Sequence, residues 1–283
     1  MKEIFCIGDW GDSNRDVNIQ NYLQKSNVDE FYLLGDNFYP DGIQSLDDSQ
    51  WELKFKSLFP THKKKYACLG NHDYLGNVFS QIEKTFQSNN YNWNLPYFYY
   101  DIIDKENSIH TFFIDTQLFA PEITTMLLLA CNISSEKQQE YFGLVYHLQE
   151  KQYQWLEEKL KYSSSKWKII CGHYPIYSNG PHIISKEFQK KMEPLLQKYK
   201  VDFYCCGHEH NSQIIYKENT YFIISGGIFS SNSYTIEKIS EPTLFSSVSQ
   251  GFFSFHVYQD TMEIYYHNIK KNQKELCSIK IKK

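Results

Sequence analysis

Short apolar runs alternate with longer polar or amphipathic stretches along most of the chain. The apolar runs are rich in β-branched and aromatic residues, which favour extended structure. They predict strands at residues 4–7, 30–34, 65–69, 98–103, 111–114, 168–171, 202–206, 221–224, 252–257, 263–266 and 277–281. The stretches between them predict helices near residues 15–25, 48–59, 151–161 and 185–199. In the third of these helices, Tyr153, Leu156 and Leu160 are spaced i, i+3 and i+7 and share one helical face.

The order of these elements predicts the fold class. Strands alternate with helices through residue 206, which is typical of an α/β sheet whose parallel strands are covered by helices. After residue 220 the strand candidates follow one another directly, which indicates an antiparallel portion. Residues 119–147 show no confident element and are interpreted as a long surface excursion. No repeat or linker divides the chain, so residues 1–283 are predicted to form a single domain.

Composition and charge narrow the range of partners. The chain has 283 residues, of which 41% are hydrophobic, and its 29 basic against 33 acidic side chains give a net charge of −4. This mildly acidic balance argues against nucleic acid as a partner. No apolar run approaches the roughly 18 residues of a membrane span, so no membrane association is expected. No secretory leader opens the chain, which predicts a cytoplasmic protein, or a secreted or lysosomal one whose leader was removed.

The seven cysteines show no Cys-x-x-Cys pair. Five of them lie in apolar strand-like runs and are interpreted as small buried hydrophobic residues rather than as disulfide partners. These five are Cys6, Cys68, Cys171, Cys205 and Cys206.

Candidate chemistry is concentrated in five short polar clusters, each of which directly follows a predicted strand. In each cluster a glycine, which lets the backbone turn and approach closely, comes before side chains that can bind metal. The carboxyl ends of parallel strands lie at one edge of a sheet, so the five clusters are expected to converge there. The clusters are Gly8-Asp9-Trp10-Gly11-Asp12, Gly35-Asp36-Asn37-Phe38-Tyr39, Gly70-Asn71-His72-Asp73, Gly172-His173-Tyr174-Pro175 and Gly207-His208-Glu209-His210-Asn211.

The donor types in these clusters are carboxylate, phenol, amide and imidazole, without a thiolate. This mixed set suits iron, manganese or zinc and disfavours calcium or an iron–sulfur cluster. Seven protein donors are too many for one metal ion that keeps an open position. They suit two ions that share a bridging carboxylate and lie about 3.5–4 Å apart.

The five blocks resemble, in order, those of the metallophosphoesterase superfamily, and within it the purple acid phosphatases of the small, tartrate-resistant kind. The similarity runs from about residue 3 to residue 230. Tyr39 is the discriminating residue, because protein Ser/Thr phosphatases carry an Asp-Arg-Gly tail in this block, whereas here Asp41-Gly42 follows without an arginine. The resemblance implies a four-layer αββα sandwich, in which two mixed β-sheets are flanked by helices and the metals lie at one edge.

The resemblance also implies two metal ions per chain, Fe(III) and a divalent ion that is iron, zinc or manganese. A phenolate is a hard anionic donor that favours Fe(III), whereas an amide and neutral imidazoles add no charge and suit a divalent ion. The implied ligands are Asp9, Tyr39 and His210 for Fe(III), Asn71, His173 and His208 for the divalent ion, and Asp36 as the bridge.

Two further histidines are catalytic candidates by the same resemblance. His72 would contact phosphate and protonate the leaving alkoxide; the alternative is that it orients Asp73 or a metal-bound group. His182 follows Gly180-Pro181 in a loop similar to one that lines the family's substrate pocket, although the register differs by about one residue. The alternative for His182 is a surface histidine.

Three other polar residues of the blocks, Asp12, Asp73 and Asn211, are expected to line the pocket or to support the ligands. The resulting hypothesis is a binuclear metal-dependent hydrolase that cleaves phosphate monoesters by attack of a metal-bound hydroxide, that is, an acid phosphatase. The expected partners are small phosphorylated substrates, with phosphoproteins or nucleotides as further candidates, and the chain is expected to be monomeric. The alternatives are a phosphodiesterase or nucleotide hydrolase on the same metal core, and an inactive scaffold of the same fold.

Overall fold

The computed structural model describes residues 1–11, 16–228, 241–269 and 273–283. Within these ranges the strands are β1 (Lys2–Ile7), β2 (Glu30–Leu34), β3 (Lys64–Cys68), β4 (Trp93–Asn94), β5 (Tyr100–Asp104), β6 (Ile109–Phe113), β7 (Trp167–Cys171), β8 (Phe203–Cys206), β9 (Ser212–Lys217), β10 (Thr220–Ser225), β11 (Thr243–Ser247), β12 (Gly251–Val257), β13 (Thr261–Asn268) and β14 (Gln273–Lys282). The α-helices are α1 (Val17–Gln24), α2 (Val78–Lys84), α3 (Thr116–Phe119), α4 (Pro121–Ala130), α5 (Ser135–Tyr162) and α6 (Lys186–Lys198). A π-helical segment (Trp51–Lys56) and a 3-10 turn (Asp73–Leu75) complete these elements.

The strands form two mixed seven-stranded sheets. The first sheet has the order β14-β13-β12-β1-β2-β3-β4, and the second has the order β11-β9-β10-β8-β7-β6-β5. In the first sheet β1 to β4 run parallel, whereas β12, β13 and β14 add to β1 as an antiparallel extension. In the second sheet β6, β7, β8 and β10 are parallel, and β5, β9 and β11 are antiparallel to their neighbours. The mixed sheets and the antiparallel late portion confirm the predicted fold class.

Each inner strand is buried on both of its faces. In β1, Ile4 and Cys6 pack into the core between the two sheets, whereas Phe5 and Ile7 pack on the opposite side under α1 and the π-helical segment. The second sheet is covered on its outer face by α5 and α6, which contribute Leu156 among others to a third cluster. Burial on both faces explains why these strands read as continuous apolar runs rather than as alternating ones. The layers are therefore helix, sheet, sheet, helix.

The five cysteines predicted to be buried are all inside the core. Each is at most 1% exposed and carries a free thiol. This confirms their interpretation as small hydrophobic residues.

The prediction of an irregular excursion over residues 119–147 is wrong, because this stretch is largely helical. α4 begins with a proline, and α5 begins after Ser134, whose hydroxyl accepts the N–H of Lys137. Between Ser135 and His147, Tyr141 is the only buried residue of α5. So sparse an apolar face gives a weak helical period, and the pattern of residues 151–161 therefore revealed only the end of this helix.

Asp115 is a buried acid that begins α3, and its carboxylate accepts the hydroxyl of Tyr74 at 2.6 Å and the N–H of Gln117. Burial, despite these hydrogen bonds, raises the pKa of Asp115 to about 7. The folded state therefore holds a proton that the unfolded state releases, so this group lowers stability as pH rises from about 4 toward 7.

We expect Asp115→Asn to relieve this penalty, because asparagine also begins helices well. Relative to the wild type, the advantage of the variant in unfolding free energy should grow by about 3 kcal/mol from pH 5 to pH 8, at about 1.4 kcal/mol per pH unit up to the raised pKa of about 7. Urea denaturation at both pH values measures the difference. An equal difference at the two pH values would contradict the raised pKa.

Candidate metal centre

The loops that carry the five polar clusters meet at the carboxyl ends of β1, β2, β3, β7 and β8. The amide of Asp9 donates to the carbonyl of Gly35 at 3.0 Å, which joins the first two loops. The amide of His208 donates to Asp9 Oδ2 at 2.8 Å, and His173 Nδ1 lies 2.9 Å from the carbonyl oxygen of Leu34. These hydrogen bonds join loops of the two sheets, so the predicted convergence occurs across the sandwich and not along one sheet alone.

One group of candidate ligands surrounds the hydroxyl of Tyr39. Tyr39 Oη lies 2.6 Å from Asp36 Oδ2 and 3.1 Å from both Asp9 Oδ1 and His210 Nε2. His210 Nε2 is 3.3 Å from Asp9 Oδ1. Ligand atoms of Asp9, Asp36 and His210 all lie within 4.8 Å of one another, a separation that one cation can span.

A second group lies on the other side of Asp36. His173 Nε2 is 2.9 Å from Asn71 Oδ1 and 3.5 Å from Asp36 Oδ1. The ring of His208 lies beside that of His173, with centroids 5.1 Å apart. Asn71, His173 and His208 are all buried, so this group is enclosed by protein.

Asp36 stands between the two groups and turns one oxygen to each. Its Oδ2 faces Tyr39, and its Oδ1 faces His173 and accepts the backbone N–H of His72 at 2.8 Å. The side chain is 1% exposed. A carboxylate with this orientation is suited to bridge two cations.

Four of the candidate ligands sit in a left-handed backbone conformation that non-glycine residues seldom adopt. The φ angles are 56° for Asp9, 51° for Asp36, 71° for His208 and 49° for His210. Such residues cost on the order of 1–3 kcal/mol each and persist where the surrounding structure holds them. Four such residues among the candidate ligands point to a functional site, because backbone strain of this kind collects at such sites.

Close packing of the second and third loops depends on Gly70. A Cβ atom at this position would lie 2.1 Å from the amide nitrogen of Asp36 and 2.2 Å from Asp36 Oδ1. Neither the backbone nor the bridging carboxylate can move away without disturbing the site. A glycine is therefore required where the loops of β2 and β3 cross.

The electrostatics of the cluster suit added positive charge. Burial and the neighbouring Asp36 and Asp9 raise the pKa of the Tyr39 phenol well above its usual value. Burial disfavours ionisation of Asp36, but His173, His72 and the hydroxyl of Tyr39 outweigh it and leave its pKa below the usual range. The phenol therefore ionises only if a cation offsets the two carboxylates, as a ferric ion would.

His208 is suited to bind metal as a neutral imidazole. Burial, together with the nearby His173 and His182, lowers the pKa of His208 well below its usual value. The two buried carboxylates, Asp9 and Asp36, need compensating positive charge, because a buried charge without a partner is costly. The residues present thus fit a pair of metal ions.

His72 lies at the edge of the cluster, where its ring is partly exposed. Its Nδ1 is 2.6 Å from the carbonyl oxygen of Pro40, and its ring packs on that of Tyr39 with centroids 4.3 Å apart. Because a carbonyl only accepts, Nδ1 carries a proton in this contact. The other ring nitrogen, Nε2, is the one left to face a substrate.

His182 also reaches the cluster. Its ring centroid is 4.3 Å from that of His208 and 6.1 Å from that of His210, and its side chain is 30% exposed. The alternative of a histidine on a remote surface loop does not fit this placement.

The three supporting residues are placed differently. Asp73 is fully buried and accepts N–H groups of Gly70, Asn37 and Gln81, which fixes the third loop against the second. Asn211 is buried as well, and its Oδ1 accepts from the side chain of Gln213 on β9 at 2.8 Å. Asp12 lies outside the described residues.

Several residues that hold the site in place carried no recognisable signal in the sequence. Thr116 Oγ1 accepts the backbone N–H groups of His173 and Tyr174 at 3.3 and 3.0 Å. Lys54 donates to the carbonyls of Gly11 and Tyr39 and so joins the first two loops. Asn37 could have been suspected from its place beside Asp36, and it donates to the carbonyl of Cys68. Thr116 and Lys54 lie far from the blocks in sequence and became visible only in the fold.

The fold and this arrangement of ligands define a metallophosphoesterase. Residues 2–212 match the family of calcineurin-like phosphoesterases, and the chain belongs to that family. It is a metal-dependent phosphoesterase with a dinuclear metal centre, which is the family's shared site. Within the described residues, no helix combines the length and the apolar character that a membrane crossing needs.

Relatives place the chain within the purple acid phosphatases. It is 30% identical over 274 residues to tartrate-resistant acid phosphatase type 5 of Oryctolagus cuniculus, covering 89% of this chain and 78% of that protein. It is 30% identical over 284 residues to purple acid phosphatase 4 of Arabidopsis thaliana, covering 94% and 80% of the two chains. These similarities confirm the family that the five blocks indicated and identify the chain as a phosphatase.

The fold is also similar to that of a protein that is described as an anchor and not as a phosphatase. The structure of GAP50, described as the anchor in the inner membrane complex of Plasmodium, superposes with a TM-score of 0.78 at 22% identity. The match covers 99% of this chain and 88% of GAP50. At this identity the similarity concerns the fold.

Proposed function

We propose that the chain is an acid phosphatase that cleaves phosphate monoesters with Fe(III) and a divalent ion, which is iron, zinc or manganese. The observation that carries this proposal is the orientation of Asp36, whose two oxygens face the two ligand groups. The phenol of Tyr39 in the first group favours Fe(III), and the amide and imidazoles of the second group favour a divalent ion.

Each donor has a defined role in this proposal. Asp9, Tyr39 and His210 hold the ferric ion, Asn71, His173 and His208 hold the divalent ion, and Asp36 bridges. When bound, the metal pair supplies a hydroxide nucleophile at mildly acidic pH and neutralises the phosphoryl oxygens.

The chain's own residues are proposed to donate the proton to the leaving group, to contact the phosphate and to exclude bulk water. His72 is held through Nδ1 by the carbonyl of Pro40, so in the imidazolium form its Nε2 carries the proton that a leaving alkoxide needs. His182 lies beside His208 at the same face of the cluster and is proposed to contact the phosphate. The closed packing of Asn71, His173 and His208 keeps bulk water from that side.

The proposed substrates are small phosphorylated molecules, with phosphoproteins or nucleotides as alternatives on the same metal core. Specificity resides in variable loops rather than in the metal ligands. Because both sheets contribute ligands, we propose that the chain works as one domain. We also propose that it acts as a monomer. The proposed ferric phenolate chemistry and acidic optimum suit an acidic, oxidising compartment better than a reducing cytosol.

An anchoring role of the kind described for GAP50 is the alternative of a different class. A scaffold without activity has no need to keep seven donors within reach of two cations. The strained conformations of Asp9, Asp36, His208 and His210 likewise cost stability without benefit to a scaffold. Both observations favour catalysis.

The test is to purify the protein with iron present and to measure hydrolysis of an aryl phosphate between about pH 4 and 7. We expect activity, one to two iron ions per chain and a visible absorption band from the ferric phenolate. Tyr39→Phe should abolish the band, because the phenolate oxygen is its source.

Tyr97→Phe, which removes an exposed phenol outside the site, serves as the control and should leave the band unchanged. A coloured wild type that stays coloured as Tyr39→Phe would show that Tyr39 is not the ligand. A colourless protein without phosphatase activity would refute the proposal as a whole.

A further inference from the structure

Glu209 is a buried acid that lies between two proposed metal ligands, His208 and His210, in sequence, yet its carboxylate turns to another residue. The side chain is 0% exposed. Its Oε2 lies 3.2 Å from His182 Nδ1 and 3.5 Å from the backbone nitrogen of His182. One oxygen thus engages both the ring and the backbone of the same histidine.

The rest of the carboxylate has little else to bind. Among the residues that the structure describes, its Oε1 is buried without a hydrogen-bond partner. A buried carboxylate is costly unless it serves a partner, because it has lost its hydration. The hydrogen bonds of this carboxylate in the described part of the chain go to His182.

The loop that carries His182 is shaped around Glu209. A Cβ atom on Gly180 would lie 1.9 Å from Glu209 Oε2 and 2.4 Å from its Cδ. Only a glycine leaves room for the carboxylate at this point, two residues before the histidine it holds. The absence of a side chain at Gly180 therefore lets this loop approach the carboxylate of Glu209 closely.

The contact fixes which ring nitrogen of His182 faces Glu209. A carboxylate accepts, so Nδ1 carries the proton that it donates to Glu209. Nε2 lies at the opposite side of the ring, and the ring itself packs against His208. A carboxylate that holds an imidazole in one tautomer and one orientation is a recurrent way to prepare a histidine for chemistry.

We propose that Glu209 is a positioning residue that holds His182 through its Nδ1 and directs Nε2 toward phosphate bound at the metal centre. This inference rests on the proposed function, because it assigns the orientation of a residue in that same site. The acid acts through His182 and contacts neither substrate nor metal. It explains why an acid is placed in a loop whose flanking histidines are proposed to bind cations.

The experiment is a double-mutant cycle on the metal-loaded protein, with two readouts. The first is the affinity for inorganic phosphate by calorimetry, and the second is kcat/KM for an aryl phosphate. We expect Glu209→Ala to weaken both by about tenfold or more, as loss of a supporting hydrogen bond typically does. In a His182→Ala background the same change should have less than about a twofold effect, because the two residues act as one unit.

Three further variants separate positioning from a general effect on the loop. Gly180→Ala should reproduce the loss by displacing the carboxylate, and Glu209→Gln, which keeps an acceptor oxygen, should restore part of it. Glu187→Gln removes one negative charge at an exposed position nearby and should change nothing. The metal content should stay at the wild-type level in all of these proteins.

The inference fails if Glu209→Ala matches the wild type, if its effect is as large in the His182→Ala background, or if it lowers the metal content. It also fails if the wild type binds no phosphate. A wild type that binds phosphate with this pattern but hydrolyses no monoester would refute the proposed function alone. Additive effects in an active phosphatase would refute the positioning role alone.

Discussion

Replacing Asp36 with asparagine is expected to reduce phosphatase kcat/KM by on the order of 10³-fold or more and to lower the bound metal from two ions per chain. Both oxygens of Asp36 are used, Oδ2 on the side of Tyr39 and Oδ1 on the side of His173. An amide offers one acceptor oxygen, and its NH2 group repels a cation. The substitution therefore removes one anionic bond and replaces it with a repulsive contact.

Elemental analysis of the purified protein together with kinetics measures this effect. Asp41→Asn is the matched control, because Asp41 follows in the same loop, undergoes the same chemical change and is exposed. Circular dichroism establishes that the variant is folded. A folded Asp36→Asn protein that keeps two metal ions and full activity would refute the bridging role.

His72→Ala is expected to slow hydrolysis of an alkyl phosphate by about 10²–10⁴-fold, the usual contribution of a general acid. The loss should be much smaller for p-nitrophenyl phosphate, whose leaving group departs without a proton. The contact of Nδ1 with Pro40 holds the ring so that Nε2 is the proton donor. Metal content should not change, because His72 is not a proposed ligand.

Kinetics on a series of phosphate esters with different leaving groups measures this prediction. The expected outcome is a steeper dependence of kcat on leaving-group pKa in the variant than in the wild type. His147→Ala, an exposed histidine on α5, serves as the control. An equal loss for all esters would mean that His72 binds phosphate and does not protonate the leaving group.

The sequence predicted those elements whose apolar pattern is strong. The inner strands β1, β2, β7 and β8 are buried on both faces and read as continuous apolar runs, so they were predicted within one or two residues. The edge strand β11 alternates exposed with half-buried residues and was missed. The first half of α5 was missed because long surface helices bury few side chains per turn.

The candidate site also has features that the sequence predicted and features that only the fold revealed. The types of donor and their order along the chain follow from the five blocks, each attached to the end of a strand, and the two-metal hypothesis needs no more than that. The division of the donors between two ions is implied by the family resemblance, because spacing along the chain does not give the distances between loops of different strands. The opposite orientations of the two Asp36 oxygens and the contact of Glu209 with His182 are therefore properties of the fold.

The amino-acid sequence by itself determined the family, the donor chemistry and the layered α/β architecture, because these depend on residue type and on local spacing. Only the tertiary structure decided which oxygen of Asp36 faces each group of donors, which nitrogen of His72 and His182 is held, and where Thr116 and Lys54 support the loops. The physical reason is that hydrogen bonds and cation sites depend on separations of a few ångströms between atoms that are distant in the chain. Periodicity along the chain carries no information about those separations.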